Sequence, residues 1–416
     1  MKKMLFTFKL YALAILAIAH ARLFNYMSRT GLVLGANTLT NIIPTLYEAL
    51  DVISREMIGF IPAVARDSSA ERAALNETIN IPIVPSAAAA DITPGVTAPN
   101  TGDQVIGNTT MTIQKSRMVP VRWNGEETTG VKNSGLFPSV NSQRFQQAMR
   151  TLVNEVEADL GALCINASRA YGTVATIPFG TAGDLSDNAQ MLKILQDNGC
   201  PQIDLHAVLG TASIANIRGK QSVLFKVNES GSSDLLRRGI IGDLQGAYVH
   251  TSAAVQRPAA GTGTSYTSSA AGFAVGTTSI PIITGSGTVL AGDVVTFAGD
   301  TNKYVVATGV AAPGTIVLAE PGLQKAIPAS ATAMTISAIH ARDMYFTRSA
   351  IALATRAPAM PEGGDQADDV IEVVDPLSGL AFQVAMYRQY RQVHYEVGLA
   401  WGVKAVAPRH IALLIG

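Results

Sequence analysis

Apolar residues recur at helical spacing in two stretches of the chain. Residues 39–58 carry one such stripe, with polar residues between its members, and this predicts an amphipathic arm helix. Residues 139–171 carry a longer stripe, and Gly172 directly after it is typical of a helix end. At the usual helical rise the second helix would measure about 50 Å, more than a compact domain needs, so we expect it to act as a spine. Its core is predicted to consist of Phe145, Met149, Leu152, Val156 and Leu160.

An alternating pattern appears between these two predicted helices. In residues 77–85 isoleucines alternate with polar residues, which predicts a strand, and Pro82 restricts that strand to a sheet edge. Residues 86–107 show no periodicity and are predicted to form a long loop. A second strand is predicted over 109–127. The resulting extended loop, a hairpin over 78–128, has too little apolar surface for a core of its own, so we expect it to lie against another molecule.

The predicted secondary structure changes twice in the second half of the chain. Short helices and strands alternate over 183–255, including a helix within 184–199, another that begins at Thr211, and a buried strand around 207–209. From 256 to 338 short β-branched runs are separated by glycine-rich turns, and this predicts a small inserted β-barrel. The residues after the insertion are strand-like again, so the inserted segment interrupts a domain that resumes behind it.

The first 26 residues admit two interpretations. Two lysines near the start, an apolar run over 10–19 and small residues at 19–21 have the arrangement of a secretory signal. The alternative is that Met27 is the true start and that residues 1–26 are a spurious extension, because the chain after Met27 runs directly into the arm helix. The apolar run is shorter than the about 20 residues that span a bilayer, and no later stretch of the sequence reaches that length, so no membrane partner is expected.

Composition narrows the possible classes of function. The chain has 416 residues, 31 basic and 31 acidic residues, and a hydrophobic fraction of 48%. These values exclude a disordered chain, which combines low hydrophobicity with high net charge. A net charge of zero argues against a dedicated nucleic-acid-binding protein. Only 15% of the residues are charged, against about a quarter in ordinary proteins, so we expect much of the surface to be covered.

The sequence contains no pattern that indicates catalysis or a bound cofactor. Cys164 and Cys200 are too few for a disulfide framework or a zinc site, and both are expected to be reduced and partly buried. The histidines lack metal-ligand spacing and no nucleophile elbow is present, so we predict no catalytic, cofactor-binding or metal residues. The acidic run Asp365, Asp368 and Asp369 could hold calcium, although a solvated loop is the default for such a run.

The order of the predicted elements, together with several local stretches, is similar to that of a known family. These stretches include ETINIPIVP at 77–85, MTIQKSRMVPVRW at 111–123, RFQQAMRTLVNEVEADLGAL at 144–163 and GLAWGVKAVAPRHIALLIG at 398–416. The chain resembles the major capsid proteins of tailed bacteriophages, which have the Hong Kong 97-like fold. Within that family it looks like the coat proteins of short-tailed phages, which carry an inserted β-barrel domain. The likeness covers nearly all of the chain after Met27.

The resemblance implies an α+β fold in which each predicted stretch takes a place in a shell subunit. The implied domains are an N-terminal arm over 27–77, the extended loop hairpin over 78–128, a peripheral domain over 129–182 that contains the spine helix 139–171, the first part of an axial domain over 183–255, the inserted β-barrel over 256–338, and the rest of the axial and peripheral domains over 339–416.

The resemblance also implies a function without an enzymatic step. Many copies would form an icosahedral shell around phage double-stranded DNA, through a procapsid that is built on a scaffolding protein and expands on maturation. The implied partners are further copies of the chain, a scaffolding protein, a portal protein and nonspecifically bound DNA, and the implied location is the virion, after assembly in the host cytoplasm. Because the extended loop would reach over a neighbouring subunit, we expect contacts between subunits at Lys115, Arg117, Arg122 and Trp123.

One stretch departs from the pattern of this family. Inserted barrels of this type often carry a charged loop that forms contacts across two-fold positions, whereas residues 257–272 read RPAAGTGTSYTSSAAG. Ion pairs between capsomers from this loop are therefore not expected.

Two other functions stay open on the sequence alone. One is an exported β-rich surface or adhesion protein that uses residues 1–21 as a signal peptide; mass spectrometry of the mature N-terminus separates it from the capsid hypothesis. The other is a hydrolase with an unrecognised acidic site, which activity in an isolated monomer would support.

Overall fold

The computed structural model describes most of the chain after residue 58. The chain divides into two compact units, Met1–Ile43 and Pro44–Gly416, and every described residue belongs to the second. The segment 1–26 and nearly all of the predicted arm helix lie outside the described residues; Leu46 is described, and it is helical and buried. The described residues are 46, 59–68, 72–83, 91–92, 94, 107–133, 137–221, 242–361, 363–374 and 379–416.

The described residues form a mixed α+β structure. The helices are α1 (Gly125–Asn133), α2 (Phe137–Ala162), α3 (Ser186–Asp197) and α4 (Thr211–Lys220), and single 3-10 turns occur at Ile61–Ala63, Leu163–Asn166, Arg348–Ala350 and Pro408–His410. The strands are β1 (Ala65–Ser68), β2 (Thr78–Ile83), β3 (Gly107–Thr112), β4 (Lys115–Asn124), β5 (Arg169–Gly172), β6 (Leu205–Leu209), β7 (Asp243–Leu244), β8 (Ala247–Thr251), β9 (Tyr266–Thr267), β10 (Ser279–Ile282), β11 (Val294–Phe297), β12 (Lys303–Thr308), β13 (Gly314–Leu318), β14 (Ala333–Ile336), β15 (Arg342–Thr347), β16 (Ile351–Arg356), β17 (Asp369–Val374), β18 (Ala381–Gln389), β19 (Gln392–Ala405) and β20 (Ile411–Ile415).

The spine helix is present as α2, but its limits differ from the predicted 139–171. It begins at Phe137 and ends at Ala162, so its 26 residues span about 39 Å. The prediction that helix continues to Tyr171 is wrong. Residues 169–172 form β5 instead, because their backbone pairs in parallel with β20 from the far end of the chain.

The predicted extended loop, 78–128, is divided between two structures. β2 and β3 pair antiparallel as a two-stranded ribbon, in which Thr78 lies opposite Thr112. β4 instead pairs along its whole length with β19, within a six-stranded sheet. β4 therefore lies on the sheet of its own chain, and contact of the extended loop with another molecule stays a prediction.

The predicted second strand also ends earlier than residue 127. Helix α1 begins at Gly125, because Asn124 and Glu127 form a reciprocal cap. The Glu127 amide donates to Asn124 Oδ1 over 2.7 Å, and the Asn124 amide donates to Glu127 Oε2 over 3.2 Å. This arrangement is a capping box, which satisfies amides that a helix leaves unpaired at its start.

The six-stranded sheet provides the surface on which the spine helix packs. Its strand order is β1–β16–β19–β18–β17, and β4 also pairs with β19. Helix α2 packs against β4 and β19, where the buried Phe145 ring meets the Tyr395 ring edge-on at a centroid distance of 5.5 Å. The C-terminal strands expected from the sequence are thus present, and β19 joins the spine helix to the rest of this sheet.

The larger sheet contains β6, β15, β20 and β5 at its centre and continues through β8 to β7. Helices α3 and α4 pack on it, which confirms the helix predicted within 184–199 and the one predicted to begin at Thr211. β6 is buried at all five positions and confirms the strand predicted around 207–209. The shared core includes Met191, Ile194, Leu195, Leu205, Ala207, Leu209, Ile214, Ile217, Tyr345 and Leu414.

Residues 256–338 form β9 to β14 around a separate apolar cluster. The pairing runs β9–β14–β11–β12–β13–β10. Backbone hydrogen bonds from Ile283 to Thr267 and from Ser269 to Pro281 then bring the two ends of this series together. The segment joins the larger sheet where β12 pairs with β5. Its core includes Tyr266, Ile280, Val295, Phe297, Tyr304, Val306, Ile316, Leu318 and Leu323.

Candidate functional site

The described part of the chain offers no constellation of groups suited to metal binding. No three His, Cys, Asp or Glu side chains in it are placed to hold a metal ion. Cys164 and Cys200 are free and buried, and burial raises the pKa of both thiols, that of Cys200 to about 11. Neither thiol is therefore activated as a nucleophile. Of the helices that the structure describes, none has the length and apolar character needed to cross a bilayer.

The acidic run considered for calcium has protein partners. The Tyr387 hydroxyl donates to Asp365 Oδ2 over 2.6 Å, and this hydrogen bond holds the pKa of Asp365 below its usual range. The Arg388 amide donates to Asp368 Oδ2 over 3.0 Å, and the Val370 amide donates to Asp369 Oδ1 over 3.0 Å. These carboxylates tie the loop to β17 and β18.

The spine core is a continuous apolar seam beneath α2. The five residues predicted for it are all at most 1% exposed: Phe145, Met149, Leu152, Val156 and Leu160. Leu152 and Leu160 lie two helical turns apart on this face, so one side of the helix is sealed against the sheet over most of its length. The opposite face, which includes Gln143, Gln147 and Asn154, is exposed.

Polar contacts bind the first residue of β4 to the spine helix. Lys115 Nζ lies 2.7 Å from Asp159 Oδ1, and the indole nitrogen of Trp401 donates to Asp159 Oδ2 over 2.9 Å. Trp401 is fully buried, so Asp159 joins the helix, β4 and β19 at one point. A carboxylate that accepts from two different strands fixes the register between them.

The other end of β4 is fixed by an aromatic ring. Trp123 is 6% exposed and its indole nitrogen donates to Asn141 Oδ1 over 3.1 Å. The Arg144 guanidinium lies over the indole ring at 4.2 Å from its centroid and donates to the Arg122 carbonyl oxygen over 2.8 Å. This cation–π contact and the hydrogen bonds hold β4 to the first turns of α2.

The four residues predicted to contact a neighbouring subunit thus have contacts within their own chain. Lys115 and Trp123 are bound to the spine helix, and the side chain of Arg117 forms an ion pair with Glu155 at 3.4 Å. Arg122 is exposed, and 57% of the Arg117 side chain is accessible. Contact with a second copy stays a prediction for all four residues.

The ribbon β2–β3 also packs on the six-stranded sheet of its own chain. Ile79 and Ile81 of β2 lie against a small apolar cluster that includes Met111, Ile113 and Ala400. β3 approaches β19 so closely that a Cβ on Gly402 would lie 2.1 Å from the Thr112 carbonyl oxygen. Only glycine fits at this position without moving the ribbon.

A buried carboxylate that the sequence analysis did not single out lies in the last two turns of the spine helix. Glu157 is 3% exposed and accepts from the amides of Phe60 and Ile61 over 3.0 and 2.8 Å, and from the Ser252 hydroxyl over 3.0 Å. Burial raises its pKa, although these hydrogen bonds act in the opposite direction. A sequence signal does exist, because position 157 falls within the apolar stripe, four residues after Val153 and three before Leu160.

Comparison with known proteins gave matches among solved structures alone. No protein-family model matches the chain, and no curated protein matches it. The chain is similar to the capsid structure of cyanophage P-SCSP1u, at 10% identity and a TM-score of 0.45, over 85% of this chain and 86% of that one. It is similar to the mature capsid of bacteriophage PhiM1, at 10% identity and a TM-score of 0.41, over 86% of each chain.

A third match is the virus-like particle from Pyrococcus furiosus, at 8% identity and a TM-score of 0.41, over 89% of this chain and 98% of that one. These are capsid and virus-like-particle structures. All three TM-scores are below 0.5. The function proposed below therefore does not rest on this likeness.

Proposed function

We propose that this chain is a major capsid protein, which assembles in many copies into the icosahedral shell of a tailed bacteriophage. The observation that carries the proposal is the arrangement of the ribbon, β4 and the spine helix α2. A two-stranded ribbon, β2–β3, leads into β4, and β4 is bound at both ends to the 26-residue helix α2, which comes after the short helix α1. This is the order that the sequence resemblance implies for the extended loop and spine of the Hong Kong 97-like fold.

The proposed domains follow from the packing of the described elements. The six-stranded sheet with α2 would form the peripheral domain, and the larger sheet with α3 and α4 would form the axial domain. We propose residues 256–338 as the inserted β-barrel. The pairing of β9 through β14, with backbone bonds between β9 and β10, supports a closed barrel with its own apolar core.

The proposed role is structural, without an enzymatic step. Copies would assemble around a scaffolding protein in the host cytoplasm, join a portal protein at one vertex, and expand when double-stranded DNA is packaged. A low charged fraction and a net charge of zero favour closure of a shell, because neighbouring copies repel each other weakly. DNA contact would be nonspecific, since phosphates can be neutralised without base readout.

Charge reversal at Arg117 tests the proposed contact surface. Arg117→Glu should leave the subunit folded, because an exposed ion pair contributes at most about 1 kcal/mol. It should weaken each contact between subunits by about 1.4 kcal/mol, which is a tenfold loss in the association constant of one contact. The yield of assembled particles should fall by more than tenfold, because each shell contains many such contacts. Sedimentation velocity measures the particle fraction, and circular dichroism at the same concentration checks the fold. Arg122→Glu is expected to behave in the same way.

Lys193→Glu is the matched control for this experiment. It makes the same change in net charge at an exposed position of α3, outside β4. The control should assemble with nearly normal yield. Equal loss of particles in Arg117→Glu and Lys193→Glu would show an effect of net charge and would remove β4 from the proposed contact surface.

A further inference from the structure

Two histidines that the sequence places 44 residues apart meet on neighbouring strands of the larger sheet. β6 and β8 pair in parallel, with His206 opposite Tyr248 and Val208 opposite His250. His206 and His250 therefore lie on one face of the sheet, and His206 Nδ1 is 2.9 Å from His250 Nε2. His206 is 2% exposed, whereas His250 is half-buried.

The geometry of this pair is that of a hydrogen bond. The ring centroids lie 5.1 Å apart, close to the 2.9 Å nitrogen separation plus the two distances from ring centre to nitrogen. The two nitrogens therefore point at each other along nearly one line, whereas two ligands of one metal ion would have lone pairs that converge on a third point. One proton fits between the rings, so that one nitrogen donates and the other accepts.

The second nitrogen of His206 connects the pair to two charged groups. His206 Nε2 is 3.0 Å from Asp204 Oδ1 and 3.1 Å from the Arg348 guanidinium. Arg348 also forms an ion pair with Asp204, in which Nε and Oδ2 are 2.7 Å apart. We call Asp204, His206, His250 and Arg348 the histidine cluster.

The histidine cluster contacts the segment 59–63. Arg348 donates to the Pro62 carbonyl oxygen over 3.1 Å, within the 3-10 turn Ile61–Ala63. Glu157 binds the amides of Phe60 and Ile61 in the same segment. A Cβ on Gly59 would lie 2.8 Å from Ser252 Cβ, so this segment also packs tightly on the residues that follow β8.

We propose that the histidine cluster is an acid-sensitive latch: when both imidazoles are protonated, two N–H groups face each other, β8 separates from β6, and Arg348 releases the 3-10 turn Ile61–Ala63. The proposal does not depend on shell assembly. It assigns to residues 204–206, 250 and 348 a control over how firmly the segment 59–63 is held.

The charges around the pair set the direction of the pH dependence. Burial lowers the pKa of His250 to about 4, and His206 and Arg348 act in the same direction. Burial and Arg348 lower the pKa of His206, against the opposing effect of Asp204. A lowered pKa in the folded state means that the latch is fully closed above about pH 6.5 and loses stability as the pH falls towards 4.

Asp343 of β15 is a titratable group on a strand that pairs with β6: it accepts from the Gly210 amide, directly after β6, and burial raises its pKa to about 6, so it acts against the pH dependence of the two histidines. Tyr248 of β8 and Phe346 of β15 place aromatic rings against His206, at centroid distances of 5.6 and 6.4 Å. On β7, the Asp243 carboxylate accepts from the Gly246 amide. Glu157 also has the opposite effect on stability to the two histidines. Its pKa is raised in the folded state, so its contribution to stability increases as the pH falls.

Hydrogen exchange of the full chain tests the latch at the amides of Phe60, Ile61, Ala63 and Arg348. After correction for intrinsic exchange rates, their protection should fall about 30-fold between pH 7.5 and 5.0, as expected for a group whose pKa is about 4 when closed and 6.5 when open. His250→Gln should remove most of this fall, because the Gln amide can donate to His206 Nδ1 and cannot be protonated. His394→Gln is the matched control, since His394 lies in β19 beside Glu396, and it should keep the full pH dependence.

Two results would overturn the proposal. One is an equal pH dependence of protection in the wild-type chain and in folded His250→Gln. The other is read from the wild-type chain and covers the case in which the variant does not fold: nuclear magnetic resonance titration showing ordinary pKa values near 6.5 for both His206 and His250. Protection that falls only in the wild-type and His394→Gln chains, with lowered imidazole pKa values, supports the latch.

Discussion

Replacement of Glu157 with alanine is expected to lower the free energy of unfolding by about 3 kcal/mol or more. The substitution removes the acceptor of the Phe60 and Ile61 amides and of the Ser252 hydroxyl, and it leaves these donors buried. Each unsatisfied buried donor costs about 1–3 kcal/mol. Removal of the buried carboxylate, which is itself unfavourable, offsets only part of this cost. Urea denaturation followed by circular dichroism measures the change.

The controls for this experiment lie on the same helix. Glu157→Gln keeps one oxygen acceptor and should be less destabilising than Glu157→Ala. Asn154→Ala removes an exposed side chain one turn earlier and should change the free energy of unfolding by less than about 0.5 kcal/mol. If Glu157→Ala unfolds at the same denaturant concentration as Asn154→Ala, Glu157 does not join the spine helix to residues 59–63.

Aspartate at Leu152 or Leu160 is expected to prevent folding. These side chains are 1% and 0% exposed, so either aspartate would place a charge in the apolar seam between α2 and the sheet. Such burial costs several kcal/mol, on top of the packing lost with the leucine, and the whole fold is stabilised by only about 5–15 kcal/mol. Leu152→Ala, which creates a cavity without a charge, should cost about 2–5 kcal/mol and leave the fold intact.

The measurement for the spine substitutions is the soluble yield together with the cooperativity of thermal unfolding. Gln147→Asp places the same charge on the exposed face of α2 and should fold normally. A soluble Leu152→Asp chain with a cooperative transition near that of Gln147→Asp would mean that the apolar stripe is not the buried face of the helix.

The local pattern was sufficient for the centre of the spine helix, and long-range pairing decided where the helix ends. The apolar stripe from Phe145 to Leu160 placed the buried face correctly, because helical periodicity is a property of neighbouring residues. The stripe continues to Ala167, yet the helix stops at Ala162 because β5 pairs with β20, whose residues lie more than 240 positions later. No local signal in 163–171 contains that information.

In the extended loop, the local pattern predicted strands but not all of the strands with which they pair. Alternation at 77–85 predicted β2, and the pattern at 109–127 predicted one strand that pairs with it as a hairpin. The structure divides that second strand into β3, which pairs with β2, and β4, which joins β19 instead. β4 is held by Asp159 and Trp401, and Trp401 lies 286 positions after Lys115. The four residues expected to contact a neighbour were chosen by family likeness, and their contacts within the chain became visible only in the fold.

The polar clusters were the least accessible to sequence reasoning. His206 and His250 have no ligand-like spacing, since their proximity arises from the register of two parallel strands. Glu157 did carry a signal, as a charge inside an apolar stripe, because a buried carboxylate in a helix needs donors from elsewhere in the fold. Charged residues at core positions of a predicted helix are therefore worth separate attention when a sequence is interpreted.

Electron microscopy of the purified full chain, alone and with a scaffolding protein, decides whether the chain assembles as a capsid protein. The capsid assignment predicts closed particles of uniform diameter, whose fraction rises steeply with protein concentration because each shell requires many copies. Monomers or dimers that persist under every assembly condition, with a folded subunit by circular dichroism, would contradict it.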